Sequence, residues 1–508
     1  MMEGLMMELT DYYDSSSETS IEGYAHKLIG RSFREILNSA TCFGSCRSIQ
    51  EAVDEYGKKQ FKGGLGNLVE KYYFGYEPNS NPWPDFPEAG VELKVTPFEV
   101  KRNGDYKAGE RLVITMIEFD RPIESNFYES HLWNKCKRIL LIYYHRDKLL
   151  KEQGSNLDYR IRFVKLFTPT KADQEIIRND YKIIVDKIKA GLAHELSESD
   201  TMYLGACTKG ATAASSLVRQ FYGNGILAKR RAFCYKSSYM TFVLNHYVVP
   251  KARTSQSDLD SLIIKNPKQL EHETFENYIR DQINQYVGKT DFELCQVFDR
   301  EYNNNKAQWI ELAYRMLGIK SNRAEEFVKA NIVVKAIRLN EKGKMKENSP
   351  LPAIHFKDIL KEQWENSDLY NYFESTKFFF VVFKKCADKY ILEGCQLWNM
   401  PYHDLEDTVH SEWQKVQDAV RDGIKFKVKQ TKGGIVFENN LPKKSENIIT
   451  HIRPHAQKRY YEFTDGRKFG NGSYADADQL PDGTWMPRQS FWLNNNYLLS
   501  ILNEDLKN

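Results

Sequence analysis

Five segments from the first half of the chain recur, degraded but in the same order, in the second half. KGGLGNLVEKYYFG (62–75) is echoed by NKAQWIELAYRMLG (305–318), and DFPEAGVELKV (85–95) by EFVKANIVVKA (326–336). KRILLIYYHR (137–146) is matched by KFFFVVFKK (377–385), LGACTKGAT (204–212) by THIRPHAQK (450–458), and RAFCYKSSYMTFVL (231–244) by QSFWLNNNYLLSIL (489–502). Each match is weak, but five in one order predict two related domains in tandem, which also suits a length of 508 residues. Near 250–268 the text turns polar between Pro250 and Pro267, which places the linker there.

Within the first half, apolar residues recur at helical spacing over 23–38 and 63–75. Strand-like runs follow at 91–96, 111–117, 138–145 and 159–168, then a helical pattern at 170–191. This order predicts an α/β sandwich around a mixed sheet in each domain. The expected plan is an acidic, unordered tail at 1–22, a first domain at 23–250, a linker at 251–268 and a second domain at 269–508. The tail carries Glu3, Glu8, Asp11, Asp14, Glu18 and Glu22 with no base, so the remainder is more basic than the overall net charge of +3 suggests. Hydrophobic content of 41% excludes wholesale disorder. The absence of a long apolar run or an apolar leader predicts a cytoplasmic protein without a membrane partner. The eight cysteines form no CxxC pair, so any metal chemistry should use oxygen ligands.

The chemistry concentrates at Asp85-Phe-Pro-Glu-Ala-Gly-Val-Glu92-Leu-Lys94. Alternate residues of a strand face one way, so Glu92 and Lys94 project together beside the loop residue Asp85. Two converging carboxylates make a hard oxygen site for Mg²⁺, and a lysine can hold or deprotonate water and balance phosphate charge. The carboxylate-x-Lys spacing alone is common, since Glu99/Lys101, Asp180/Lys182 and Asp505/Lys507 share it. Only 85–94 combines it with an apolar strand, a loop aspartate and a preceding helix that carries Glu70.

KGGLGNLVEKYYFG, DFPEAGVELKVTP and SHLWNKCKR together resemble the MutH family of GATC-specific endonucleases, and the two-domain length resembles its Sau-type restriction enzymes. The resemblance implies a restriction-endonuclease-like fold with Asp85, Glu92 and Lys94 as the catalytic core, Asp85 and Glu92 as the Mg²⁺ ligands, and Glu70, Lys62 and Lys135 in support. It implies double-stranded DNA containing GATC as substrate, cut before the G on each strand, by a monomer that pairs on DNA and coexists with a partner methyltransferase. DNA readout in that family comes from two later segments. Their first copy here offers Lys209, Tyr235 and Lys236 but lacks the family's Arg-Pro and places Cys234 where an aromatic is expected.

The second copy departs in the converse way. Glu326 stands where Asp85 does, but Val333 replaces Glu92 and leaves Lys335 alone, so this half should not hydrolyse DNA. It keeps Arg453, Pro454, His455 and Trp492, closer to the family's reading pattern. Lys425, Lys427 and Lys429 alternate along an apparent strand, which predicts one uniformly positive face. The expected role of this half is to bind a second DNA site as an effector. The alternatives are a strand-specific nicking enzyme of mismatch repair and a non-catalytic DNA-binding protein.

Overall fold

The run Ile-Leu-Leu-Ile-Tyr at 139–143 has no polar position, the signature of a strand covered on both faces, and in the computed structural model these five residues are fully buried. The structure describes residues 12–39, 49–57, 64–79, 81–101, 104–154, 156–209, 216–250, 262–303, 305–431 and 434–507. The chain divides into two compact units, the first comprising Met1–Phe275 with Arg323–Asn331, the second Glu276–Asn322 with Ile332–Asn508.

In the first unit, β1 (Glu92–Val100), β2 (Tyr106–Ala108), β4 (Ile139–His145) and β5 (Arg160–Phe167) form a mixed sheet in the order β2-β1-β4-β5, with β1 and β4 parallel. A second, antiparallel sheet has β9 (Arg231–Tyr235) between β3 (Leu112–Met116) and β6 (Leu204–Thr208), and β7 (Leu217–Arg219) pairs with β8 (Leu227–Lys229) as a hairpin. The four expected strands are all present, although β3 joins the second sheet rather than the first. The expected helix at 170–191 is Lys171–Lys189, capped by the Thr170 hydroxyl on the Asp173 N–H. The helical pattern at 23–38 breaks into Glu18–His26 and Phe33–Ser39, with Gly30 at φ +90° between them.

Order also begins before Gly23. Ser17 caps the helix Glu18–His26, Glu18 pairs with Arg138, and Glu22 accepts the Leu166 N–H at 2.9 Å. Tyr13 packs against Tyr24, Phe74 and Phe86. From Tyr12 onward the acidic segment is therefore docked rather than a solvated tail, held by Tyr13, Glu18 and Glu22.

The second unit repeats the plan. β10 (Ile332–Leu339) runs parallel to β12 (Lys377–Cys386), which pairs with the antiparallel β13 (Lys389–Trp398). β21 (Gln489–Leu493) lies between β11 (Ser349–Ala353) and β16 (Thr450–Pro454). The register of the last two recurring segments matches between the units. Leu204 faces Tyr235 and Thr208 faces Arg231 in one unit; Thr450 faces Leu493 and Pro454 faces Gln489 in the other. The following helices, Ser237–Val243 and Asn495–Ile501, match as well. The second unit adds a hairpin of β14 (Lys427–Thr431) and β15 (Gly434–Glu438), and a small sheet of β17 (Tyr460–Glu462), β18 (Lys468–Gly470), β19 (Ala477–Gln479) and β20 (Trp485–Pro487).

A buried carboxylate device is also duplicated. Asp180, on the helix Lys171–Lys189, accepts the N–H groups of Met202, Tyr203 and Leu204 at 2.7–2.9 Å. Glu412, on the helix His410–Arg421, accepts those of Ile448, Ile449 and Thr450 over the same distances. Each clamps the chain as it enters β6 or β16, satisfying donors that burial would otherwise strand.

One boundary differs from expectation. The helix Glu325–Ala330 lies in the second half of the sequence but belongs to the first unit, where Lys329 pairs with the buried Asp173 at 2.7 Å and accepts the Ser238 hydroxyl on its carbonyl. A lysine ammonium neutralising an otherwise buried aspartate fixes that helix more firmly than sequence continuity does. Among the described residues no helix is long and apolar enough to cross a membrane.

Candidate active site

Residues 86–91 fold back on themselves: the Phe86 N–H donates to Val91 O at 2.9 Å, the reverse bond is 3.1 Å, and Gly90 turns the corner at φ +66°. This closure brings Asp85 to the start of β1, where its Oδ2 accepts the Leu93 N–H at 2.8 Å. Glu92 and Lys94 lie on one face of β1, and Lys94 Nζ reaches Glu92 Oε1 at 2.6 Å. Lys135, from the short helix His131–Cys136, approaches both oxygens of Glu92 at 3.3 and 3.4 Å. Glu70 opens a π-helical turn, Glu70–Phe74, that interrupts the helix begun at Gly64–Val69. Glu70, Asp85, Glu92, Lys94 and Lys135 thus line one cleft of about 1020 Å³. The sixth expected residue, Lys62, lies outside the described residues.

The electrostatics are those of an acidic cluster in a partly dry cleft. Burial, then the neighbouring Glu92, pushes the Asp85 carboxyl up to about 6. Burial, then Asp85, pushes Glu70 up to about 7. For Lys94 burial alone would favour the neutral amine, but Glu92 and Asp85 outweigh it and hold the ammonium form.

Among the described residues no group of three His, Cys, Asp or Glu side chains is arranged to hold a metal ion. The Glu92 carboxylate is turned onto two lysines. The donor set nevertheless suits a hard divalent cation: oxygen ligands only, two carboxyls, Asp85 and Glu70, driven toward protonation by burial and then by a neighbouring acid, and a buried phenol oxygen, Tyr76, without a partner among the described residues. Sequence reasoning missed Tyr76, which follows Gly75 in a tyrosine-rich stretch and shows no periodicity that would single it out.

The expected reading residues separate sharply. Tyr235 and Lys236 are corrections: both are buried, the tyrosine hydroxyl donating to Cys136 O and the lysine ammonium to Thr201 O. They hold the β9 end of the core together and cannot reach DNA. Lys209 directly follows β6, half-buried, with its N–H on Arg230 O at 2.7 Å. Phe233, not singled out from sequence, lines the cleft.

In the second unit Arg453, Pro454 and His455 are exposed at the end of β16. The Arg453 guanidinium stacks over the Trp492 ring at 4.6 Å, and the His455 ring meets that indole edge-on at 5.3 Å. His455 Nδ1 lies 3.1 Å from Ser490 Oγ. The register places Cys207 and Cys234 of the first unit, both buried, where Arg453 and Trp492 stand in the second. Lys427 and Lys429 are exposed on β14, but the face is not uniformly positive: Glu438 sits opposite Lys427 and bonds Lys429 at 2.6 Å. The strand's hairpin partner, invisible in a periodicity reading, supplies that carboxylate.

Two restriction-endonuclease-like units, one carrying a carboxylate–lysine cleft and the other not, define a tandem nuclease architecture. Residues 74–180 match the family model described as DNA mismatch repair enzyme MutH. The chain is 34% identical over 475 residues to the type II restriction enzyme Sau3AI of Staphylococcus aureus, covering 89% of this chain and 94% of that protein. It is 24% identical to the DNA mismatch repair protein MutH of Vibrio parahaemolyticus and 27% identical to that of Serratia proteamaculans, over 46% and 38% of this chain and 96% and 81% of theirs. The chain belongs to the Sau3AI-type, MutH-like family of restriction endonucleases, which are site-specific deoxyribonucleases.

Proposed function

We propose that this enzyme hydrolyses double-stranded DNA at GATC, with Mg²⁺ as cofactor, cutting before the G on each strand. The observation that carries the reading is the cleft in which Asp85 and Glu92 converge beside Lys94 and Lys135. Asp85 and Glu92 would hold the cation, which supplies Lewis acidity to the scissile phosphate and lowers the pKa of water in its shell. Lys94, kept cationic by Glu92, orients the attacking water and offsets charge on the phosphate. Lys135 steadies Glu92, and Glu70, pushed up to about 7, can take part in proton exchange near neutral pH. A scissile phosphate on each strand calls for two catalytic units, which a monomer supplies by pairing on DNA.

In this reading the second unit binds its own GATC duplex through Arg453, Pro454, His455 and Trp492 and acts as an effector, since it keeps a reading cluster and lacks the carboxylates. Lys209 is the one residue proposed for DNA contact in the first unit that is not in the core. A partner methyltransferase would protect the host, and the cytoplasm is the compartment in which such a pair works. The test is a Mg²⁺-dependent plasmid digest with the ends mapped. Linear product with four-base 5′ overhangs at GATC supports the proposal. Nicked circles alone would favour a mismatch-repair nickase, and binding without cleavage a DNA-binding protein.

A further inference from the structure

Tyr76 stands beside the same cleft with no part in the chemistry described so far. It follows the π-helical turn Glu70–Phe74 and its closing residue Gly75, at φ +76°. Its N–H donates to Glu70 O at 3.2 Å, so one turn positions both Glu70 and the tyrosine. Its ring packs edge-on against Phe86, the neighbour of Asp85, with centroids 5.5 Å apart. Asp85 borders both the 1020 Å³ cleft and an adjoining cavity of about 310 Å³ that Tyr76 lines with Tyr13, Phe74 and Phe86.

The hydroxyl is the anomaly. Other tyrosines of this aromatic cluster are satisfied: Tyr13 donates to Phe74 O, Tyr24 to Tyr73 O, and Tyr73 to Tyr24 O. The Tyr76 hydroxyl is buried and has no partner among the described residues. Leaving a buried hydroxyl unpaired costs about 1–3 kcal/mol, and phenylalanine would fill the same space without that cost. Burial, then the charges of Asp85, Glu70 and Glu92, disfavours its ionisation, so the group is a committed O–H donor.

We propose that Tyr76 is a positioning residue for the divalent cation, its hydroxyl donating a hydrogen bond to the oxygen atoms gathered around a cation held by Asp85 and Glu92. The inference rests on the reading of those two carboxylates as the ligands. It accounts for an unpaired O–H on a tyrosine that lines a cavity together with Asp85 and lies directly behind the π-helical turn that presents Glu70.

The test is Tyr76→Phe in the full-length protein, with Mn²⁺ affinity measured by calorimetry or electron paramagnetic resonance without DNA, and thermal stability measured in chelator. Removing a donor to a metal's surroundings lowers affinity by about 10- to 100-fold, so Mn²⁺ binding should weaken by at least about 10-fold. Stability in chelator should stay level or rise, because no bond of the metal-free protein is lost. The Mg²⁺ concentration for half-maximal cleavage should rise in step, with the rate at saturating Mg²⁺ much less affected. Unchanged Mn²⁺ affinity overturns the proposal, as does a fall in stability in chelator, which would show that the hydroxyl has a structural partner. Asp85→Asn, run in parallel, should lose Mn²⁺ binding. If it does not, the ligand assignment itself has failed, whatever Tyr76→Phe shows.

Discussion

β1 and β10 are the same strand used twice. Each opens the mixed sheet of its unit, each runs parallel to a buried central strand, and each carries a lysine at the matching position, Lys94 or Lys335. Lys94 meets Glu92 at 2.6 Å and is held cationic; Lys335 has Val333 two residues earlier, and burial alone draws its pKa down. Glu326, aligned with Asp85 in the sequence repeat, gives its carboxylate to the N–H groups of Ile263 and Ile264. The strand and its lysine therefore belong to the fold, while of the two acids beside them the second copy has replaced one by Val333 and turned the other, Glu326, onto backbone N–H groups. β6 and β9 show the reverse loss, with Cys207 and Cys234 where β16 and β21 hold Arg453 and Trp492. Each unit keeps what the other has given up.

The hardest attempt to break that comparison removes the carboxylates. Asp85→Ala or Glu92→Ala should lower Mg²⁺-dependent cleavage by about 10³-fold or more, since a metal site supplies several kcal/mol to the transition state and each 1.36 kcal/mol is tenfold. Lys94→Ala should be nearly as damaging. Affinity for a GATC duplex in Ca²⁺ should change little, because phosphate and base contacts elsewhere dominate it. Residual cleavage near wild type in a plasmid assay would move the active site away from β1.

Next in size is the reading cluster. Arg453→Ala combined with Trp492→Ala should lower cleavage by about 10- to 100-fold without touching the cleft, as base contacts contribute about 1–3 kcal/mol each. Plasmids with two GATC sites should be cut faster than plasmids with one, and a short uncleaved GATC duplex should rescue the one-site plasmid in trans. Equal rates with no rescue would leave the second unit a clamp that adds phosphate contacts. Point substitutions are needed because truncation after residue 270 would also delete Lys329 and strand the buried Asp173 of the first unit. Removing one partner of a buried pair costs about 3–5 kcal/mol.

A smaller effect distinguishes the units by pH. Asp85 and Glu70 titrate near 6 and 7 in the metal-free fold, above the ordinary 3.8 and 4.5. The folded state then holds more protons than the unfolded state between about pH 4 and 7, so the metal-free protein should lose stability as pH rises through that window. The two groups are coupled, so the loss belongs to the pair rather than to either group alone. Asp85→Asn with Glu70→Gln should flatten the first unit's pH profile in chelator and leave the second unit's unfolding unchanged. A profile unaffected by that pair would mean the acids are better solvated than the cleft implies.

Much of this was legible in the sequence because it rests on local pattern. Glu92 and Lys94 share a face by strand alternation, and the last two recurring segments fell into register, Leu204 on Tyr235 and Thr450 on Leu493, because strand pairing preserves spacing. What stayed hidden depends on distant partners. Tyr235 and Lys236 looked like loop donors but end in the core, bonded to Cys136 and Thr201. Glu438 crosses a hairpin to neutralise a lysine face, and Glu18 and Glu22 dock on Arg138 and Leu166 rather than trailing in solvent. The affiliation of the helix Glu325–Ala330 with the first unit turns on partners far away in sequence, Asp173 and Ser238 for Lys329 and the Ile263 and Ile264 N–H groups for Glu326. No periodicity reports such a contact.

The smallest expected effect is the sharpest test of what the second unit lacks. Val333→Glu restores the Glu-x-Lys pattern on β10, and the half-buried site offers the new carboxylate Lys335 as a partner in the way that Lys94 serves Glu92. The variant should fold with a loss of about 1–3 kcal/mol for burying a polar group. The Lys335 ammonium, tracked by nitrogen-15 NMR, should become harder to deprotonate. Cleavage should not appear: in an Asp85→Ala background, Val333→Glu should remain as inactive as Asp85→Ala alone. Its aligned acid, Glu326, on the helix Glu325–Ala330, is already engaged by the Ile263 and Ile264 N–H groups, so one carboxylate would face the cation without a second. Activity in the double variant would show that β10 finds another acid and that a single substitution separates the two units.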